Sequence, residues 1–335
     1  MAIPKIQVED IRGILALMPT PAKQGADRWD EENTVDLEET ARLAEAFACS
    51  GVDAIMLNGT LGECASLTWE ELQDFTDTVV KVVRGRVPVF AGATTLNTRD
   101  TIRRARAFSK LGADGLFLGR PMWVALDDAG IVQYYRDVAE ALPHLAIVLY
   151  DNPGAFKGKI SPKAYAELAK IPQVVASKHM GFLAGGAAFF ADLKAVQGKI
   201  RLLPLELDWY FLAKLAPEQV TACWSGFCAC GPAPAIGLRE AIFAQDWELA
   251  QSIHKDMEWA TETFFPDGDF QKFSMYSIQI NKTRYKEAGY FHPGPSRPPY
   301  INIPAAYEEG AAECGRRWKA LEEKYAKLVA ANTPR

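Results

Sequence analysis

The sequence is poor in the residues that hold metals and lacks the pairs that build disulfide or zinc frameworks. Its four histidines (His144, His179, His254, His292) have no metal-ligand spacing, and its six cysteines form no Cys-x-x-Cys pair, so no metal site is expected. Cys223, Cys228 and Cys230 share one apolar segment, which fits reduced, buried thiols of a cytoplasmic protein. No run approaches the roughly 20 apolar residues of a membrane span, and residues 1–10 carry charge where a signal peptide would be apolar. Positive charge is not in excess either: 37 Lys and Arg against 42 Asp and Glu leave a net charge of −5. That excludes the basic footprint of a nucleic-acid binder and the polybasic patch of a membrane anchor. Low-complexity stretches and flexible interdomain linkers are also missing.

Apolar sequence is plentiful. With 49% hydrophobic and 24% charged residues, a 335-residue chain can bury a sizeable core, as one large barrel or two ordinary domains. Eight short apolar runs occur at 13–19, 53–59, 88–93, 115–120, 146–152, 174–179, 200–206 and 221–227. Apolar on both faces, they read as strands buried between an interior and a shell of helices. The segments between them carry helix signals. Leu37, Ala41, Ala44 and Phe47 recur on one face after Thr34, with Asp36, Glu38 and Glu39 in the first turn. Thr68-Trp69-Glu70-Glu71 is a capping box, Ser161-Pro162 an N-cap with proline at the first helical position, and Gly51 and Gly112 stand just past helix ends.

Strict alternation of strand and helix, repeated eight times, predicts an α/β fold: a (β/α)8 TIM barrel over residues 1–244. A doubly wound open sheet is the structural alternative. Residues 245–335 read as a C-terminal helical extension broken at Phe291-His-Pro-Gly-Pro-Ser-Arg-Pro-Pro299.

Barrel chemistry gathers at the C-terminal ends of strands. Those ends offer Thr60 and Glu63, Tyr150, Lys178, Glu206, and Trp224-Ser225-Gly226. Lys178 ends an otherwise apolar run. Either it reaches solvent by its long stem, or it is buried, in which case desolvation lowers its pKa and yields a nucleophilic amine. Tyr150 is either a core tyrosine or a proton shuttle beside that amine. Gly59-Thr60-Leu61-Gly62-Glu63 either makes a tight bend or presents backbone amides to a carboxylate.

In this order and at these spacings, Gly59-Thr60-Leu61-Gly62-Glu63, Tyr150-Asp151-Asn152-Pro153 and Ser177-Lys178 resemble the dihydrodipicolinate synthase / N-acetylneuraminate lyase family of class I pyruvate aldolases. The resemblance implies that Lys178 forms an imine with a 2-oxo acid, that Tyr150 shuttles protons, and that Thr60 and the Leu61 amide bind the pyruvyl carboxylate. It implies no metal or organic cofactor, since the imine is the electron sink, and a homotetramer.

Three departures from the synthase pattern remove polar groups. Pro121-Met122-Trp123 replaces a Pro-Tyr-Tyr, no arginine follows the Tyr150 motif where Pro153-Gly154-Ala155-Phe156 stands, and Leu61 replaces a second threonine. An apolar wall of Met122, Trp123, Phe156, Trp224 and Phe227 suits an aryl aldehyde, although each member is equally readable as interior packing. The runs at 14–21 and 34–42, together with Pro121-Met122-Trp123 and Ser296-Arg297-Pro298-Pro299-Tyr300, are similar to the hydratase-aldolase branch of bacterial aromatic catabolism. That likeness implies cleavage of a trans-ortho-substituted benzylidenepyruvate to an aromatic aldehyde and pyruvate. Asn281 is placed to meet the ring substituent, or is a solvated helix residue. An ortho-carboxyl ring, as in phenanthrene breakdown, is preferred to an ortho-hydroxyl ring, as in naphthalene breakdown. The rivals are sugar-acid aldolase or dehydratase chemistry, a synthase-like condensation, and a barrel that only binds a ligand.

Overall fold

The computed structural model describes residues 3–181 and 186–332. Eight parallel strands form one sheet: β1 (Gly13–Leu17), β2 (Ala54–Met56), β3 (Val89–Ala91), β4 (Gly115–Leu118), β5 (Ala146–Tyr150), β6 (Val174–Lys178), β7 (Arg201–Leu203) and β8 (Ala222–Ser225). Their order is β7-β6-β5-β4-β3-β2-β1-β8. A parallel bridge between Leu205 and Trp224, with Trp224 N donating to Pro204 O at 2.9 Å, joins the two ends. The fold is a (β/α)8 barrel, and the open-sheet alternative falls with that bridge. Every strand residue but Arg201 is buried, as expected for strands covered on both faces. All eight apolar runs contain their strand, and each run overshoots it at one or both ends. The residues just beyond the strands are largely buried as well, polar ones such as Arg120, Asp151, His179 and Glu206 among them.

Contacts divide the chain into two compact units, Met1–Leu15 with Asp53–Leu57 and Pro88–Trp224, and Ala16–Val52 with Asn58–Val87 and Ser225–Arg335. The first holds nearly all of the sheet and α3 (Thr98–Leu111), α4 (Asp128–Ala141), α5 (Pro162–Leu168), α6 (Gly186–Val196) and α7 (Glu206–Leu215). Asn97, Asp127 and Ser161 each cap a helix by accepting a backbone N–H three residues on, worth about 1 kcal/mol apiece.

The second unit holds α1 (Leu37–Ser50), α2 (Trp69–Val83), α8 (Ala233–Phe243), α9 (Trp247–Thr261), α10 (Phe270–Met275), α11 (Ser277–Ala288) and α12 (Ala305–Asn332). Both capping-box bonds form at Thr68 and Glu71. Asp36 caps α1, while Thr34 instead donates its hydroxyl to Glu71. The buried stripe of α1 is Glu39, Thr40, Leu43, Ala44 and Phe47, so Leu37 and Ala41 lie off the face expected for them. Glu39 is buried because it pairs with Arg42 and accepts from His292 N. Trp318 of α12 is wholly buried, stacks on Phe227 at 4.5 Å and donates to Gly231 O. Gly315 lets α12 approach α11: a Cβ there would lie 2.4 Å from Arg284 O. The cysteines are all free thiols, but Cys49 is exposed and Cys64 half-buried, so only four of the six are in the core.

Candidate active site

Parallel pairing of β5 with β6 puts Tyr150 level with Lys178, the last residues of their strands. Lys178 is 4% exposed, so its stem does not carry the amine to water. Nζ lies 3.4 Å from the centre of the Trp224 ring and 4.9 Å from that of Tyr150. Burial penalises the ammonium and lowers its pKa to about 7, against the opposing pull of the Glu206 and Asp151 carboxylates. Close to half of the amine is therefore neutral near pH 7, which makes it available as a nucleophile.

Trp224 is held as well as placed. Its indole N–H donates to His179 O at 2.8 Å, tying β8 to the residue after Lys178. The His179 ring accepts from Gly181 N at Nδ1, so Nε2 carries the proton and donates to Asp192 at 2.9 Å. Glu206, the first residue of α7, is fully buried.

Tyr150 is buried, stacked on Phe117 at 4.5 Å and met edge-on by Phe156 at 5.2 Å. Asn152 Nδ2 donates to its hydroxyl at 3.3 Å, while Asn152 Oδ1 accepts from the Gly154 and Ala155 amides. One amide thus orients the phenol and shapes the turn behind it. Behind the turn, Asp151 accepts from Arg120, Ile160 N and the Tyr165 hydroxyl, and Ser177 donates in turn to Tyr165. Burial pushes the Asp151 carboxyl up, and the Arg120 charge opposes it.

In the second unit, Gly59-Thr60-Leu61-Gly62-Glu63 folds on itself: Gly62 N and Cys64 N donate to Gly59 O, and Glu63 N to Thr60 O. Gly62 O accepts from the Thr20 hydroxyl at 2.9 Å. Glu63, at φ 52° and 1% exposure, is clamped by Lys282 at 2.6 Å and Arg297 at 3.1 Å. Burial lowers the Lys282 pKa to about 8. Ser225 Oγ accepts from Cys228 N, and Gly226 O from Arg284.

Of the residues named from sequence, Lys178, Tyr150, Trp224 and Phe156 come together. Met122 is half-buried, and Trp123 is 76% exposed with its carbonyl held by Lys157 at 2.7 Å. Phe227 packs on Trp318 and Phe264 in the second unit. Asn281 is 2% exposed rather than solvated. Its Nδ2 donates to Ser277 O at 2.5 Å, and its Oδ1 has no hydrogen-bond partner among the described residues. Sequence did not single out Asn152, Arg120, Lys282 or Phe117. Asn152 alone carried a signal, since an Asn before proline in a strand-end motif is suited to a local turn.

The dihydrodipicolinate synthetase family matches residues 11–181. The trans-2'-carboxybenzalpyruvate hydratase-aldolase of Nocardioides sp. (strain KP7) is 52% identical over 98% of this chain and 99% of its own length. The trans-O-hydroxybenzylidenepyruvate hydratase-aldolase of Pseudomonas putida is 47% identical over 96% of this chain and 97% of its own. The solved structure of PhdJ bound to substrate intermediate superposes with a TM-score of 0.95 at 56% identity, covering 96% of this chain and 99% of that one. The chain belongs to the dihydrodipicolinate synthetase family.

Proposed function

We propose that the chain is a Schiff-base hydratase-aldolase that converts a trans-ortho-substituted benzylidenepyruvate and water into an aromatic aldehyde and pyruvate. One observation carries this reading: a buried lysine with its pKa near 7, seated between the rings of Trp224 and Tyr150. The hydratase-aldolase relatives, near half identical along the whole chain, support it over sugar-acid or condensing chemistry.

Lys178 Nζ attacks the 2-oxo carbon and water leaves, giving a protonated imine conjugated with the alkene. Water adds at the carbon bearing the ring, the electron pair moves to the imine nitrogen, and protonation of the neighbouring carbon restores the imine. Tyr150 then takes the proton of the new hydroxyl. The carbon–carbon bond breaks, the aldehyde departs, and the electrons return to nitrogen as an enamine. Protonation and hydrolysis release pyruvate and free Lys178. Asn152 holds Tyr150 for these transfers. Phe156 and Trp224, with Met122 and Trp123, are assigned to the aryl group. The loop of Gly59, Thr60 and Leu61, with Ser225 and Gly226, is assigned to the pyruvyl carboxylate. The imine makes a metal or organic cofactor unnecessary. The family's homotetramer and a cytoplasmic setting are part of the proposal.

Asn281 is assigned to the ring substituent. The second amide hydrogen of Asn281 can donate to an ortho carboxylate, while its Oδ1, without a partner among the described residues, can accept from an ortho hydroxyl. The ortho-carboxylated compound is the preferred substrate, in line with the 52% identical relative. Incubation with trans-2'-carboxybenzalpyruvate and with the ortho-hydroxy compound should release pyruvate and the matching aldehyde. A Lys178→Ala variant that cleaved either at the wild-type rate would refute the mechanism.

A further inference from the structure

Arg120 and Asp151 are 1% and 2% exposed, and buried charges are costly unless paired and hydrogen-bonded. The pair therefore invites a reason for its presence, and its contacts supply one. Arg120 Nη1 meets Asp151 Oδ1 at 3.3 Å, and Arg120 Nη2 donates to Gly158 O. Asp151 opens the turn that follows Tyr150, and Gly158, in a glycine-type backbone conformation at φ 137°, closes it. The Arg120 guanidinium also lies 5.5 Å from the centre of the Phe156 ring. One side chain at the end of β4 thus grips both ends of the turn and faces its aromatic residue.

Internal bonds, Phe156 N to Asn152 O and Gly158 N to Pro153 O, give the turn its shape. They do not seat it against the barrel, and Arg120 does. Gly119 completes the seat: a Cβ there would stand 2.1 Å from Phe156 Cζ, so the ring occupies the space a side chain would fill. Seated this way, Phe156 meets Tyr150 edge-on at 82°. A planar guanidinium reaches carboxylate, carbonyl and ring face together in a way that an ammonium cannot.

We propose that Arg120 and Asp151 are positioning residues that set substrate specificity, holding Phe156 on Tyr150 so that the site favours an aryl over an alkyl group on the departing aldehyde. The proposal rests on the imine reading above. Its effect passes through the placement of Phe156, so it bears on discrimination rather than on imine formation.

The test uses the full chain as Arg120→Lys and, separately, as Gly119→Ala, which keeps both charges and displaces only the ring. Three readouts are compared with wild type: kcat/KM for trans-benzylidenepyruvate, kcat/KM for the alkyl analogue trans-2-oxo-3-hexenoate, and the rate of borohydride trapping with pyruvate. In both variants the aryl-to-alkyl ratio of kcat/KM should fall by about tenfold or more, the size expected when one apolar wall is displaced. Trapping should stay within about twofold, because the interaction lost is not one the imine uses. Equal losses on both substrates, an unchanged ratio, or loss of trapping in the variants would each overturn the proposal while leaving the imine reading intact. Absence of trapping in the wild-type chain would overturn both. If Arg120→Lys does not fold, Asp151→Asn, which removes the ion pair at unchanged side-chain size, is read for the same aryl-to-alkyl ratio.

Discussion

Replacing Lys178 by methionine removes the amine and keeps an unbranched side chain of similar reach, so it isolates what burial of the amine costs the fold. Burial lowers the Lys178 pKa from 10.5 to about 7. Between those values the unfolded chain binds the proton that the native chain has released. Wild-type stability therefore rises with pH across that window and carries the full cost below it. By proton linkage the cost is about 4 kcal/mol at pH 7, about 2 kcal/mol at pH 9, and negligible above about pH 11. The methionine variant has no such dependence. In urea unfolding followed by circular dichroism, it should be the more stable chain at pH 7, and its advantage should shrink by about 2 kcal/mol at pH 9. An advantage equal at the two pH values, or a variant less stable at pH 7, would refute the burial-driven shift.

The same shift predicts that the rate of imine formation with pyruvate climbs about tenfold per pH unit below pH 7 and levels off above about pH 8, read by quenched-flow borohydride trapping. A climb continuing through pH 9 would place the amine near its ordinary value. Glu63→Gln leaves Lys282 and Arg297 buried against a neutral amide and should cost about 3–5 kcal/mol in urea unfolding. A loss under 1 kcal/mol, which is about what an exposed ion pair is worth, would show that the clamp does not hold the loop. Asn281→Ala should lower kcat/KM for ortho-substituted substrates by about tenfold, with a much smaller change for unsubstituted benzylidenepyruvate. Equal losses on substituted and unsubstituted rings would remove Asn281 from substituent recognition.

Much of the barrel is legible in the sequence because its strands are buried on both faces, so the eight apolar runs stand out without alternation. Strand ends were less legible. Runs such as 200–206 continue past the last ladder bond into loop residues that are also buried, and hydrophobicity does not distinguish the two. On α1, Ala44 and Phe47 lie in the buried stripe as expected but Leu37 and Ala41 do not, because Glu39 and Thr40 are polar residues satisfied in the interior, Glu39 by Arg42 and His292 N and Thr40 by Asp36 O. At the site, Lys178 and Tyr150 were visible as polar groups ending apolar strands. The residues that hold them were not. Arg120 and Asp151 lie 31 positions apart, and Glu63 and Arg297 lie 234 apart. Each looks like an ordinary surface charge until the fold brings its partner to it. Asn281 is a candidate in the sequence, but its burial is not legible there, since a single Asn on a charged helix gives no sign of being buried.

The central claim is that Lys178 forms the imine. Borohydride reduction of the protein with pyruvate, followed by digestion and mass analysis, tests it most directly. A reduced pyruvyl adduct is expected on the peptide containing Lys178 and on no other peptide. An unmodified Lys178 peptide, or an adduct at another lysine such as Lys282, would contradict it.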